Sequence, residues 1–414
     1  MQLLQSVTTG LLLASSCLSS LAAGRSVPQA KGLAVRQAQP QKIAPKVFIV
    51  SMFEPEAEIW WGIPEFDLMA HNITIPGASP LFPDVHCTAD YNICQLVTGE
   101  SEINAAVTVS SIVFNPIFDL THTYFLIAGI AGVNPEETTI CSVTFARYAV
   151  QVALQYEIDI REMPANATTG YFPQGSYYPW QYPGSIYGTE VFEVNDNLRK
   201  LAVGFASNAT LADSDTAKAY RANYVTPDGI YAAGARAPSV VECDVATSDV
   251  YYSGVILGET FGNYTSLLTN GTGNYCASAQ EDNATLEALL RAAKYNITDF
   301  SRIIVMRTAS DFDREYPGES ARENLLYADT GSYEPSVENI YRAGVKIVEG
   351  ILSEWNSTFA AGVKPSNYIG DIFGSLGGEP DFGPGHYESL VDAGVLKKRG
   401  VEKRGVARRS VRAN

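Results

Sequence analysis

The sequence predicts an α/β protein, a single three-layer α/β/α domain on a central mixed sheet. Three observations carry that expectation. Short apolar runs suited to inner strands alternate with stretches of helical character. No internal repeat or low-complexity linker divides the 414 residues. A composition of 46% hydrophobic and 18% charged residues supplies material for one large core or two smaller ones.

Taken in order, Leu11, Leu12, Leu13 and Ala14 centre an apolar stretch, and Ser20-Leu21-Ala22 offers small residues where a signal peptidase reads. Residues 1–22 are therefore expected to be a signal peptide, although residues 1–24 carry no Lys or Arg. Residues 23–45 are polar, proline-containing and aperiodic, which predicts a flexible leader or propeptide. The main domain is expected over 46–390. Its strands are "KVFIV" (46–50), "NICQLVTG" (92–99), "TYFLIAGIAG", "ICSVTFA", "VECDVAT" and "RIIVM". Helices are expected from about Ser101 to Phe114 and near 195–206, 283–294 and 336–355. The aromatic, proline-rich stretch "YFPQGSYYPWQYPGSIYG" (171–188) reads as a lid over a pocket or a packed surface loop. Residues 391–414 form a basic tail with dibasic pairs at Lys398-Arg399, Lys403-Arg404 and Arg408-Arg409, either simply solvated or cut by a processing protease.

A net charge of −16 repels a phosphate backbone, so nucleic acid is not an expected partner. N-x-[ST] sequons at Asn72, Asn166, Asn208, Asn263, Asn270, Asn283, Asn296 and Asn356 agree with export, and the expected location is secreted or cell wall. Loss of Cys17 with the signal leaves Cys87, Cys94, Cys141, Cys243 and Cys276. Cys87 and Cys94 are near enough to bridge a loop in an oxidising compartment. The four histidines are isolated and no CxxC occurs, so no metal site is expected. No other segment has the roughly 18 apolar residues that a membrane span needs.

The candidate chemistry begins at "RIIVMRTASDF" (302–312), where a buried strand is expected to break after Met306 and deliver Ser310 and Asp311. These two residues either stop the strand as turn formers or place a carboxylate at a sheet's carboxyl end, where α/β proteins bind ligands. Glu281 lies upstream in "SAQEDNATL", although Ser278 and Glu281 also have the S-x-x-E spacing of a capping box. A third acidic element is "CDVATSDVYYSG", with Asp249, Tyr251 and Tyr252; a fourth is "SMFEPEAEIWW", with Glu54, Glu56 and Glu58.

In this order the motifs resemble those of the fungal purine nucleoside permeases, which are similar to the nucleoside phosphorylase and nucleosidase superfamily. "FEPEA" stands where that superfamily has a glutamate-rich loop, and "TGESEINAA" stands for its glycine turn before a helix. "AGIAGVNP", "QEDNATL" and "RTASD" resemble its T-G-S-A-G, M-E-A-x-A and R-A-x-S-D elements. The resemblance covers roughly 46–360 and implies a nucleoside phosphorylase-like fold. It implies that Asp311 sits against the purine N7 as general acid, with Ser310 beside it, and that Glu56 activates water. Glu281 would bind ribose hydroxyls, Tyr251 would lie along the base, and Gly129 and Gly132 would line the pocket. Glu102 stands where many relatives carry lysine, and Ile130 replaces a serine, which weakens the anion side; Arg147 and Arg307 are the cations available to a phosphate. The implied ligands are purine nucleosides such as adenosine, guanosine or inosine, with no cofactor unless inorganic phosphate is a co-substrate. Hydrolysis of the N-glycosidic bond is the expected reaction, with phosphorolysis next. The other reading is a non-catalytic extracellular binding component that feeds a separate membrane transporter. Relatives commonly assemble, so a homo-oligomer is an expectation too.

Overall fold

The computed structural model describes residues 42–380 and 382. Chain order runs β1 (Val47–Ser51), α1 (Glu54–Glu58), β2 (His71–Thr74), β3 (Asp84–Cys87), β4 (Ile93–Val97), α2 (Glu102–Val113) and β5 (Tyr124–Val133). There follow β6 (Val143–Ala146), β7 (Tyr148–Gln151), β8 (Gln155–Glu157), β9 (Tyr171–Pro173), β10 (Val191–Glu193), α3 (Asp196–Ala206) and α4 (Asp215–Arg221). The remainder is β11 (Val240–Glu242), β12 (Asp244–Thr247), α5 (Val255–Leu268), β13 (Tyr275–Ala279), α6 (Asp282–Ala293), β14 (Ile303–Phe312), α7 (Ala321–Leu326), α8 (Tyr333–Ser353) and β15 (Gly370–Asp371).

Side-chain alternation along the inner strands decides the layering, because successive residues of a strand point to opposite faces. Phe48 and Val50 of β1, Phe125 and Ile127 of β5, and Ile303 and Val305 of β14 share one core with α2 and α6, through Val109, Ile112, Leu286 and Leu289. Their neighbours Val47, Ile49, Tyr124, Leu126, Ile304 and Met306 share a second core with α3 and α8, through Leu198, Ala202, Ile340 and Ile347. Strands buried on both faces read as continuous apolar runs, which is why these three were visible in the sequence. The result is the expected three layers, with helices on both sides of a mixed sheet.

Thirteen strands join that sheet in the order β15-β10-β7-β12-β13-β5-β1-β4-β3-β2, with β14 paired to β5 and β6, and β11 to β6. β1, β5 and β14 are mutually parallel. β13 meets only the far end of β5, antiparallel, at Ala277–Val133 and Ser278–Gly132. The sheet therefore bends so that the ends of β12 and β13 converge on the carboxyl ends of β1 and β14.

Several expectations need correction. Ordered packing starts before residue 46: Ile43 bridges Phe118, and Thr123 donates to the carbonyl of the buried Pro45. "VECDVAT" divides at Cys243 into two strands with different partners. "RIIVM" does not end at Met306, since β14 continues to Phe312. Ser278 belongs to β13 and Glu281 is itself the N-cap of α6, so no capping box forms. The expected Cys87–Cys94 bridge is present and joins directly opposed residues of β3 and β4; a second links Cys243 to Cys276, while Cys141 is a buried free thiol. The segments expected to be a signal peptide and a basic tail, and most of the expected leader, lie outside the described residues. Among the described residues no helix is long and apolar enough to cross a membrane, and no group of His, Cys, Asp or Glu is arranged to hold a metal ion.

Candidate active site

A cavity of about 210 Å³ opens where these strand ends meet. Glu56 forms its most buried acidic wall. Pro55, at the second helical position, helps start α1 directly after β1, in the first turn, where its missing N–H costs nothing. That short helix turns Glu54 and Glu58 outward and Glu56 inward, which fixes the register that the sequence left ambiguous. One Glu56 oxygen accepts from the Met52 N–H at 2.8 Å and the other from the Ile130 N–H at 2.7 Å. Burial pushes its pKa from 4.5 up to about 8, against the pull of the Arg307 guanidinium and the two N–H groups, with Glu281 adding to the rise.

Arg307 comes from the middle of β14 and is buried. Its Nη2 lies 3.1 Å from Glu281 and 2.9 Å from Asp282, and its Nη1 donates to the Ile130 carbonyl at 3.1 Å. The three neighbouring carboxylates raise its affinity for its proton further. Asp282 was not singled out from the sequence; the "ED" doublet at a helix start was the available signal. Its charge-assisted fork keeps Arg307 in place and leaves the guanidinium committed.

Glu281 lines the cavity with one oxygen on Arg307 and the other accepting from the Ser101 N–H at 3.0 Å. Ser101 sits at φ 78, in the left-handed region rare for serine, directly before α2. The next N–H, that of Glu102, is capped by Asp249 at 2.9 Å. Thus the amino end of α2, an anion site by its dipole, is already held by two of the protein's own carboxylates. The Glu102 side chain bonds Gln151, and burial together with Asp249 and Glu281 raises its pKa to about 7.

Asp311 reaches the site through a bulge. β14 and β5 run in register from Ile303–Phe125 to Ala309–Ala131, then shift so that Asp311 faces Gly132, which leaves Ser310 as the extra residue. Bulges re-aim side chains, and this one turns a half-buried carboxylate toward the cavity rim. Ser310 Oγ lies 2.8 Å from one oxygen, and the Tyr251 hydroxyl donates to the other at 2.8 Å. Burial raises the Asp311 pKa, while those two hydroxyls oppose the rise. Ser310 also reaches the Ala131 carbonyl at 3.2 Å. Its single proton serves one acceptor at a time, so when it bonds Ala131 its lone pair can receive a proton held by Asp311.

The two glycines play different parts. A Cβ on Gly132 would lie 2.7 Å from Ser278 Oγ and 3.3 Å from Asp311, so this cavity-lining position needs the missing side chain. Gly129 does not line the cavity, contrary to expectation. It lies beneath Glu56, where a Cβ would stand 2.6 Å from Oε1 and 2.9 Å from the Arg307 Nη1. Gly129→Ala is expected to cost about 1–3 kcal/mol through overpacking, read as a lower urea midpoint at unchanged m; an unchanged midpoint would show that the pair shifts freely.

Glu56, Glu281, Tyr251, Gly132 and Ser310 thus share one cavity wall, with Asp311 just behind Gly132 and Tyr251. Phe53 and Tyr252 add aromatic surface. Arg147 is elsewhere, bound to Glu193 at 2.5 Å, and is no candidate phosphate ligand. The 171–188 loop does not border this cavity, so it is no lid for it.

Comparison with known proteins adds the following. A family model described as purine nucleoside permease matches residues 44–364. The purine nucleoside permease of Candida albicans is 47% identical over 355 residues, 83% of this chain and 84% of that protein. A probable purine nucleoside permease of Schizosaccharomyces pombe is 38% identical over 320 residues, 75% of this chain and 90% of that one. Among solved structures, futalosine hydrolase of Helicobacter pylori is 14% identical over 75% of this chain and 98% of its own, with a TM-score of 0.43. The 5'-methylthioadenosine/S-adenosylhomocysteine nucleosidase of Colwellia psychrerythraea in complex with adenine is 12% identical over 75% and 96%, also at 0.43. Likenesses that distant carry no argument about activity.

Proposed function

The chain belongs to the purine nucleoside permease family, and from that premise we propose that it binds purine nucleosides in this cavity and hydrolyses their N-glycosidic bond. The observation that carries the choice of water over phosphate is the state of the anion-binding groups. Three carboxylates, Glu56, Glu100 and Glu281, line the cavity against one guanidinium, and Arg307 is spent on Glu281 and Asp282. The amino end of α2 is capped by Glu281 and Asp249. A phosphate dianion would meet repulsion without a free counter-charge.

In the proposed reaction the purine lies against Phe53, Tyr251 and Tyr252, and Glu281 accepts hydrogen bonds from the ribose hydroxyls on its remaining lone pairs. The bond between the anomeric carbon and the purine nitrogen breaks with its electron pair going to the base, while Asp311 delivers a proton to N7. Positive charge developing on the ribose ring is met by the acidic wall. Water adds to the anomeric carbon and gives its proton to the Glu56 carboxylate. The products are free purine and free ribose. For a ligand to reach Asp311, the Tyr251 hydroxyl must leave it, so Tyr251 both covers the acid and flanks the base.

Export belongs to the same proposal. It is supported by the signal-like start, by the two disulfides, which persist in oxidising compartments, and by seven sequon asparagines that are exposed in the fold. The second reading, a nucleoside-binding component of uptake, uses the same aromatic and acidic pocket and draws on the name of the relatives. One assay separates them. Purified protein given inosine or adenosine is expected to release base equally well with and without inorganic phosphate, and to form free ribose. A strict phosphate requirement with ribose 1-phosphate as product overturns hydrolysis, and binding without any base release establishes the uptake reading.

A further inference from the structure

A second cleft, of about 740 Å³, shares no lining residue with the candidate active site. It lies between α5 and the segment that carries β8 and β9, and it takes in part of the aromatic 171–188 stretch. Its lining brings the aromatic residues Trp180, Tyr171 and Tyr264 beside Thr168, Thr169 and Thr260. Trp180 is 73% exposed and stacks on Tyr178, with ring centroids 5.3 Å apart and planes 18° from parallel. Tyr177, at 75%, stands beside them in the same loop. So much clustered aromatic surface facing water is uncommon unless something covers it.

We propose that this cleft is filled by an N-linked glycan attached to Asn263. Asn263 opens the sequon Asn263-Tyr264-Thr265, is exposed, and is itself part of the cleft lining. A sugar on that carboxamide begins inside the cleft, so the tether raises its local concentration far above that of any free ligand. The chemistry of the walls matches a hexose: its flat C–H face meets the negative face of an indole or phenol ring, and its rim hydroxyls meet threonine hydroxyls. The sequon at Asn283 shows the contrast. Its asparagine is buried, donates to the Thr189 carbonyl at 2.8 Å and accepts from Thr247 at 2.7 Å, so the fold has no room for a glycan there.

The proposal depends on passage through a secretory pathway and not on nucleoside chemistry, so it and the functional reading fail separately. The test is secretion of the full chain from a eukaryotic host, with a host leader replacing residues 1–22, followed by glycopeptide mass spectrometry. Asn263 is expected to be modified and Asn283 unmodified. Under native conditions an amidase that removes whole N-glycans should act at Asn263 roughly tenfold more slowly than at the exposed Asn296, given the size of an aromatic stacking contribution. Both sites should be equal after denaturation. Trp180→Ala should abolish the difference, and Asn263→Gln should increase chymotryptic cutting after Trp180. An unmodified Asn263, or native removal as fast as at Asn296, overturns the proposal.

Discussion

Asp311→Asn is expected to lower base release by about 100-fold or more while leaving the fold and nucleoside binding in place. The side chains are equal in size, and asparagine still meets both the Tyr251 and Ser310 hydroxyls, so packing gives no reason for collapse. Burial already favours the uncharged form of Asp311, and removal of the charge therefore leaves no partner cation stranded. What the amide cannot do is transfer a proton to the departing purine. The loss should fall on kcat with KM nearly unchanged, the mark of an interaction made in the transition state. Base release at the wild-type rate would leave Asp311 as a strand residue beside the bulge with no part in catalysis.

How much of this was readable beforehand follows from the physics of each element. β1, β5 and β14 announced themselves because burial on both faces demands continuous apolar runs. The bulge at Ser310 did not, because Arg307, Thr308 and Ser310 read as a strand that has stopped, whereas Arg307 and Ser310 find polar partners on β5 and at the start of α6 that the local sequence does not reveal. Helix α5 was missed for a related reason: "VILGETFGNYTSLL" holds two glycines and several β-branched residues, and it owes its helical state to burial of Phe261, Tyr264 and Leu268. The S-x-x-E spacing around Ser278 misled because local spacing says nothing about whether the first residue is still in a strand. Asp282 and the capped end of α2 were hidden most deeply. Each is a contact across many residues of sequence, Asp282 with Arg307 and Ser101 with Glu281, and only the folded sheet brings them together.

Glu56→Gln should abolish most base release, by about 100- to 10,000-fold, and with it one limb of the pH profile. The base must be a carboxylate to take a proton from water, and burial has raised the Glu56 pKa to about 8. Wild-type activity is therefore expected to climb as pH rises through about 8, until Asp311 loses the proton that it must donate; the glutamine variant keeps a residual rate without that climb. Folding stability gives a second, independent readout. Because the folded pKa lies above the ordinary value of 4.5, the native state holds this proton more tightly than the unfolded chain does. The resulting stabilisation is complete below about pH 4.5 and is lost as pH rises through about 8, so the Glu56 contribution to a plot of unfolding free energy against pH slopes downward over that interval. In Glu56→Gln that contribution disappears. The variant should also be less stable at low pH, since its amide nitrogen must face one of the two N–H donors, Met52 or Ile130, that the carboxyl group accepts from. A variant that loses the stability slope yet releases base at the wild-type rate would make Glu56 a structural acid and move the activation of water to another group. Loss of both together is the result expected of a buried base.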